Sequence, residues 1–151
     1  MIFNHFSPNS RVWLFIANQK LSPSKSVQLH SQFSNFCETW KSHGTPLHGE
    51  IRYIHDQLIV FGVNQQNLCG RSVDALVRFV RETEDSLGLD LLNRSRMGFL
   101  KNDVFNTFLF HEMKNLKIIS SISSTTMITN NFIEQNGEDL FIPLNQSPFK
   151  D

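Results

Sequence analysis

The chain has 151 residues, 14 Lys+Arg against 14 Asp+Glu, and a hydrophobic fraction of 40%. That length fits one domain, able to hide about two-thirds of the surface its unfolded chain would expose. The balanced charge contains no long run of one sign, which argues against nucleic-acid binding, whose footprint is a basic patch. No stretch approaches about 18 consecutive apolar residues, so membrane insertion is not expected.

The segment Met1–Pro8 lacks a basic region followed by an apolar run, so no signal peptide is expected and the simplest address is the cytoplasm. Phe dominates the aromatics, 14 against one Tyr and two Trp, and rings without a polar handle belong mostly in a core. Cys37 and Cys69 form no CxxC pair, and a disulfide scaffold is not expected at this size.

Arg11 to Ala17 is a nearly unbroken apolar run of strand length, as in a central strand covered on both faces or on one face plus an edge. Ser22-Pro23 is a helix start, with Ser as cap and Pro at the first helical position. Leu29, Phe33, Phe36, Cys37 and Trp40 follow as one apolar stripe, and His43-Gly44 is read as the helix stop. Glu50–His55 and Leu58–Val63 read as a hairpin about Asp56-Gln57. A loop at Cys69 then leads to a helix opening at Ser72 and running from about Val73 to Leu87, with Val73, Leu76, Val77, Val80 and Leu87 as its stripe and Gly88 as its stop.

Arg96 to Leu100 is a fourth strand. The order strand, helix, strand, strand, helix, strand predicts an α+β fold with a ferredoxin-like βαββαβ core, an antiparallel sheet carrying two helices on one face. Beyond it, Phe108 to Leu116 reads as a short helix, Ser120 to Thr126 as a loop, Met127 to Ile133 as a strand, Asn136-Gly137 as a turn and Leu140 to Leu144 as a last extended piece. The expectation is a single domain over 1–151, with a core over 11–100 and a C-terminal helix/strand elaboration over 104–151. Phe132, Leu140 and Phe141 are expected to be largely buried against the first ninety-odd residues.

The sharpest candidate site is Cys69-Gly70-Arg71-Ser72-Val73-Asp74. A helix N-terminus offers unpaired N–H groups and partial positive charge, glycine permits close approach, and Arg71 adds a planar fork of donors. Cys69, Gly70, Arg71, Ser72 and Asp74 thus form a candidate pocket for a small anion, with a thiol at its lip. Ser72 is expected to cap the helix and Asp74 to sit in its first turn. A thiolate at Cys69 would be stabilised by the helix end and Arg71, with His55 or Glu50 as the nearest candidate bases for nucleophilic work.

The scattered histidines His5, His30, His43, His48, His55 and His111 give no convergent metal-ligand set, so neither a metal nor a cofactor is expected. Arg78–Glu82 and Arg81–Asp85 are i,i+4 pairs of a solvated helix face. A P-loop (GxxxxGK[ST]), GxGxxG and GxSxG are all absent from the sequence.

Asn9-Ser-Arg-Val-Trp13, Gly49-Glu-Ile-Arg-Tyr53, Gly70-Arg-Ser-Val-Asp74 with Val77 and Phe79, and Ile142-Pro-Leu144 with Ser147 together resemble a bacterial family whose members often carry the label "ABC transporter ATPase". The resemblance spans almost the whole chain. It implies a hallmark loop, read in the family as Gly-Cys-Ser-Ile-Asp, which Gly70, Ser72 and Asp74 match; Arg71 stands where the family places its cysteine, and Cys69 lies two positions earlier. The label requires a Walker A loop that these residues do not supply. The expected function is a non-catalytic binding or interaction protein with an anion-binding loop, its partner a protein, a small anionic ligand or a second copy of itself. The alternative is an enzyme or redox-responsive protein working at Cys69–Asp74, and the third reading is the ATPase of the label.

Overall fold

The computed structural model describes residues 1–149, an α+β chain built on antiparallel sheets. They gather into two compact units: Met1–Leu92 with Glu134–Glu138, and Asn93–Ile133 with the residues from Asp139 onward.

In the first unit, strand β1 (Val12–Ile16) pairs antiparallel with β5 (Leu58–Val63), and β5 pairs on its other side with β4 (Gly49–Ile54). The order β1-β5-β4 places β5 centrally, and every residue of β1 and β5 is buried, as their continuous apolar runs predict. The β4–β5 hairpin forms where expected, its turn held by His55 and Asp56 at φ 54° and 57°.

Helix α1 (Pro23–Cys37) starts as its sequence dictates: Ser22 Oγ accepts the Lys25 N–H at 3.2 Å and Pro23 opens the first turn. It ends at Cys37, earlier than the His43-Gly44 stop. Those two residues, at φ 52° and 78°, instead form the two-residue turn of a small hairpin, β2 (Lys41–Ser42) with β3 (Thr45–Pro46). Positive φ at both central residues is the twist that such hairpins require.

Helix α2 (Gly70–Leu87) ends as predicted at Gly88, left-handed at φ 65°. One core cluster unites the inward faces of the sheet and both helices: Trp13, Phe15 and Phe61 with Leu29, Phe33, Leu76 and Phe79. Trp40, read as the last of the α1 stripe, is buried here from beyond the helix end, 6.1 Å from the Trp13 ring.

The predicted fourth strand forms as β6 (Arg96–Lys101), but in the second unit. There β7 (Val104–Leu109), β6, β8 (Met127–Thr129) and β9 (Phe141–Pro143) make a four-stranded antiparallel sheet in the order β7-β6-β8-β9. A ferredoxin-like core would carry β6 on the open side of β1. The position beside β1 is taken by the returning chain instead: Arg11 bridges Gln135, and the Val12 N–H donates to the Glu134 carbonyl at 2.9 Å.

The predicted helix over Phe108–Leu116 is replaced by β7, a single 3-10 turn and the short helix α3 (Met113–Ile118). Asn102 and Asp103, at φ 51° and 63°, make a tight β6–β7 turn that recruits the apolar run from Val104 into a strand. Met97, Phe99, Phe108, Met113 and Ile128 form the core of this unit. Phe132 is 61% exposed, stacked on Phe149 at 5.7 Å, contrary to its expected burial, and Leu140 and Phe141 are half-buried.

The Asn136-Gly137 turn holds the chain's beginning in place. Asn136 is fully buried; its Oδ1 accepts the Phe3 N–H at 2.7 Å and its Nδ2 donates to the Phe3, Phe6 and Ser7 carbonyls. This anchors Phe3, whose ring lies over Gly62 and would meet a Cβ there at 2.4 Å. Asn136→Ala is expected to lower the unfolding free energy by about 2–3 kcal/mol, because it strands several buried backbone groups at once; urea denaturation with a loss below about 0.5 kcal/mol would contradict this role.

Candidate functional site

The loop before α2 is positioned from two sides. Helix α2 begins at Gly70, two residues ahead of the predicted opening, and its N-cap is Cys69, with extended backbone at φ −70° and ψ 157°. The β2–β3 hairpin packs against this end. Trp40 Nε1 donates to the Ser72 carbonyl at 2.9 Å, the Cys69 N–H donates to Ser42 Oγ at 3.0 Å, and the Ser72 hydroxyl donates to the Lys41 carbonyl.

This shift changes each predicted role. Ser72 is the third helical residue, not the cap, and is buried against the hairpin. Asp74 is the fifth, exposed and past the first turn, so the helix end does little for its carboxylate. Gly70 lies outside the left-handed region, and a Cβ built there meets nothing within 4 Å, so neither the turn nor packing requires glycine. Arg71 is exposed and contributes to the wall of a neighbouring cleft.

Cys69 is the centre of the arrangement. The Ser72 hydroxyl lies 3.0 Å from Sγ, and the Ser72 N–H, the Ser42 hydroxyl and the His43 N–H also converge on it. Led by Ser72, these donors hold the thiol down to about 6. Arg71, expected to stabilise the thiolate, is not among the groups responsible.

Ser72 has one hydroxyl proton and two acceptors in reach, the Lys41 carbonyl and Cys69 Sγ. While the thiol is protonated it donates to Ser72, and Ser72 donates onward to Lys41; once ionised, the sulfur claims the Ser72 proton. Cys37 has the opposite environment: half-buried on α1, its thiol is pushed up to about 11 by desolvation, with only the Gly49 N–H opposing. The candidate bases are elsewhere: Glu50 is paired with His5, and His55 forms the β4–β5 turn.

Next to Ser72, α2, the start of the hairpin and the end of α1 line a cleft of about 380 Å³. Lys41, Arg71 and Arg78 bring three cations to it, Trp40 and Phe79 give it aromatic walls, and Glu82 supplies the counter-charge. From sequence, Trp40 reads as part of the α1 stripe and His43 as a helix stop, and Lys41 and Ser42 carry no reading; the available signal for a site is Ser-His-Gly-Thr, a tight-turn pair bracketed by short extended pieces. Among the described residues, no group of three or more His, Cys, Asp or Glu is placed to hold a metal ion, and no helix is long and apolar enough to cross a membrane.

Comparison with protein-family models, with curated proteins and with solved structures gives no match.

Two outcomes follow from the geometry. Gly70→Ala is expected to raise stability by about 0.5 kcal/mol, because alanine fits and restricts the unfolded chain; a marked loss on thermal melting would mean the position needs glycine after all. The depressed Cys69 thiol contributes stability that is fully present above its ordinary value of 9.0 and lost as pH falls through about 6. Ser72→Ala should move the thiol back toward 9.0, read by thiolate absorbance during a pH titration, and an unchanged titration would exclude Ser72 as its main support.

Proposed function

We propose that this protein works as a binding protein that responds to redox state or electrophiles through Cys69, held as a thiolate at the N-terminus of α2. The convergence of the Ser72, Ser42 and His43 donors on Sγ carries this reading. A helix N-terminus favours an anion, and here the anion is supplied by the chain itself. With neither candidate base at the sulfur, the arrangement favours a thiol that is modified over one that turns over substrate. The family resemblance supports the same helix end as the working part: its cysteine would fall at Arg71, within the same first turn. The ferredoxin-like relationship is supported by β1, β5 and β4, whose order it shares, while β6 departs from it.

Alkylation tests the proposal. Iodoacetamide takes the Cys69 thiolate as nucleophile and releases iodide, so the rate follows the ionised fraction and should reach half its maximum near pH 6. Cys37 should stay unlabelled until the protein unfolds, and Cys69→Ser should abolish native labelling. Equal, slow labelling of both thiols would end the thiol-based reading.

The cleft of Lys41, Arg71 and Arg78 supports a second reading, recognition of a small anion next to Ser72. Thermal melting in sulfate, phosphate and acetate is expected to show a modest stabilisation that Arg71→Ala removes without lowering the melting temperature in anion-free buffer. Identical anion profiles for the two proteins would discard this reading and leave the first intact.

A further inference from the structure

Strand β4 is an edge strand, and the pairing register fixes which of its backbone groups face outward. The Val63 N–H donates to the Arg11 carbonyl, on the side of β5 away from β4. Val63 opposite Gly49 is therefore a non-hydrogen-bonded pair, and by alternation so are Phe61 opposite Ile51 and Ile59 opposite Tyr53. The backbone N–H and C=O groups of Gly49, Ile51 and Tyr53 thus point to the open edge. The Gly49 N–H is directed at Cys37 Sγ; the others have no backbone partner among the described residues. The opposite edge of the sheet, at β1, is covered by Glu134 and Gln135.

The open edge borders a groove of about 680 Å³, walled by α1 at His30 and Ser34 and by the N-terminal segment at Asn4 and His5. Between its outward-facing backbone groups, β4 carries Glu50 and Arg52, opposite charges two residues apart on one face of the strand.

We infer that the edge of β4 is a self-pairing surface, taking β4 of a second copy as an antiparallel strand with Ile51 at the two-fold axis. In that register Ile51 faces Ile51 of the second copy and exchanges two backbone hydrogen bonds with it, while the Tyr53 N–H on each side reaches the Gly49 carbonyl opposite. Glu50 then faces Arg52 of the second copy, and Arg52 faces Glu50. Both are non-hydrogen-bonded pairs, in which side chains approach most closely and opposite charges favour pairing while like charges oppose it.

Charge complementarity thus selects a second copy and this register: centring the pair on Glu50 or on Arg52 would also mate outward groups but would set like charges opposite each other. His5 already contacts Glu50 and Arg52 donates to the Ile2 carbonyl, but the second carboxylate oxygen and the remaining guanidinium N–H groups retain bonding capacity.

Sedimentation of the full chain tests this. The wild type should show a concentration-dependent monomer–dimer equilibrium. Glu50→Arg and Arg52→Glu should each weaken the dimer roughly tenfold or more, because both symmetric pairs become like-charged. An equimolar mixture of the two variants should recover the dimer, since a strand with two cations then faces one with two anions; recovery also shows that both variants are folded. Ile51→Pro provides an independent route: its N–H takes no part in the β4–β5 ladder, so proline should keep the fold, checked by circular dichroism, and abolish association. A wild type that stays monomeric from about 1 μM to 1 mM would overturn the inference. So would a dimer indifferent to both charge variants, or single variants that dissociate and are not rescued by mixing.

Discussion

Everything distinctive at the candidate site depends on the clamp between the β2–β3 hairpin and the first turn of α2. Trp40 donates to the Ser72 carbonyl, Ser42 accepts the Cys69 N–H, and the Ser72 hydroxyl lies within hydrogen-bond reach of both the Lys41 carbonyl and Cys69 Sγ. The bonds to Trp40, Lys41 and Ser42 cross between segments about thirty positions apart in sequence. Among the groups they engage, the Cys69 N–H is a donor that a helix start otherwise leaves to solvent. Because the contacts are reciprocal, the hairpin and helix end act as one piece, and the sulfur lies at their seam. Moving the hairpin away would remove the Ser42 and His43 donors together and return the thiol toward ordinary behaviour.

The two cysteines show how far environment separates identical side chains. Cys37 belongs to the apolar side of α1, where loss of water disfavours its charged form. Cys69 lies among donors that prefer the charged form. Near neutral pH one is an inert hydrophobe and the other an ionised nucleophile. For Cys69 the leading donors come from Ser72, three residues along the chain, and the hairpin adds Ser42 and His43.

Elements governed by local rules were legible in the sequence. The α1 start at Ser22-Pro23, the Gly88 stop, the buried runs of β1 and β5 and the β4–β5 hairpin follow from capping, glycine conformation and unbroken apolar runs. The sequence is ambiguous where one dipeptide serves two motifs: His43-Gly44 satisfies a helix stop and a hairpin turn equally well, and with positive φ at both residues it forms the turn. The Asn102-Asp103 turn was missed for want of glycine, and with it β7. At the site, the loop was found but its inner workings were not. Placing the helix start two residues late exchanged the roles of Cys69 and Ser72 and assigned to Arg71 an effect that Ser72 supplies.

The anchoring of Phe3, Phe6 and Ser7 by Asn136 has a consequence for how the protein is made. A ribosome releases the N-terminal segment first and Asn136 more than a hundred residues later. Until then Phe3 has no fixed seat over Gly62, and β1 lacks the strand segment that covers its outer edge. The β1 edge therefore stays open to pairing with other extended chain until Glu134 and Gln135 have been made and can cover it.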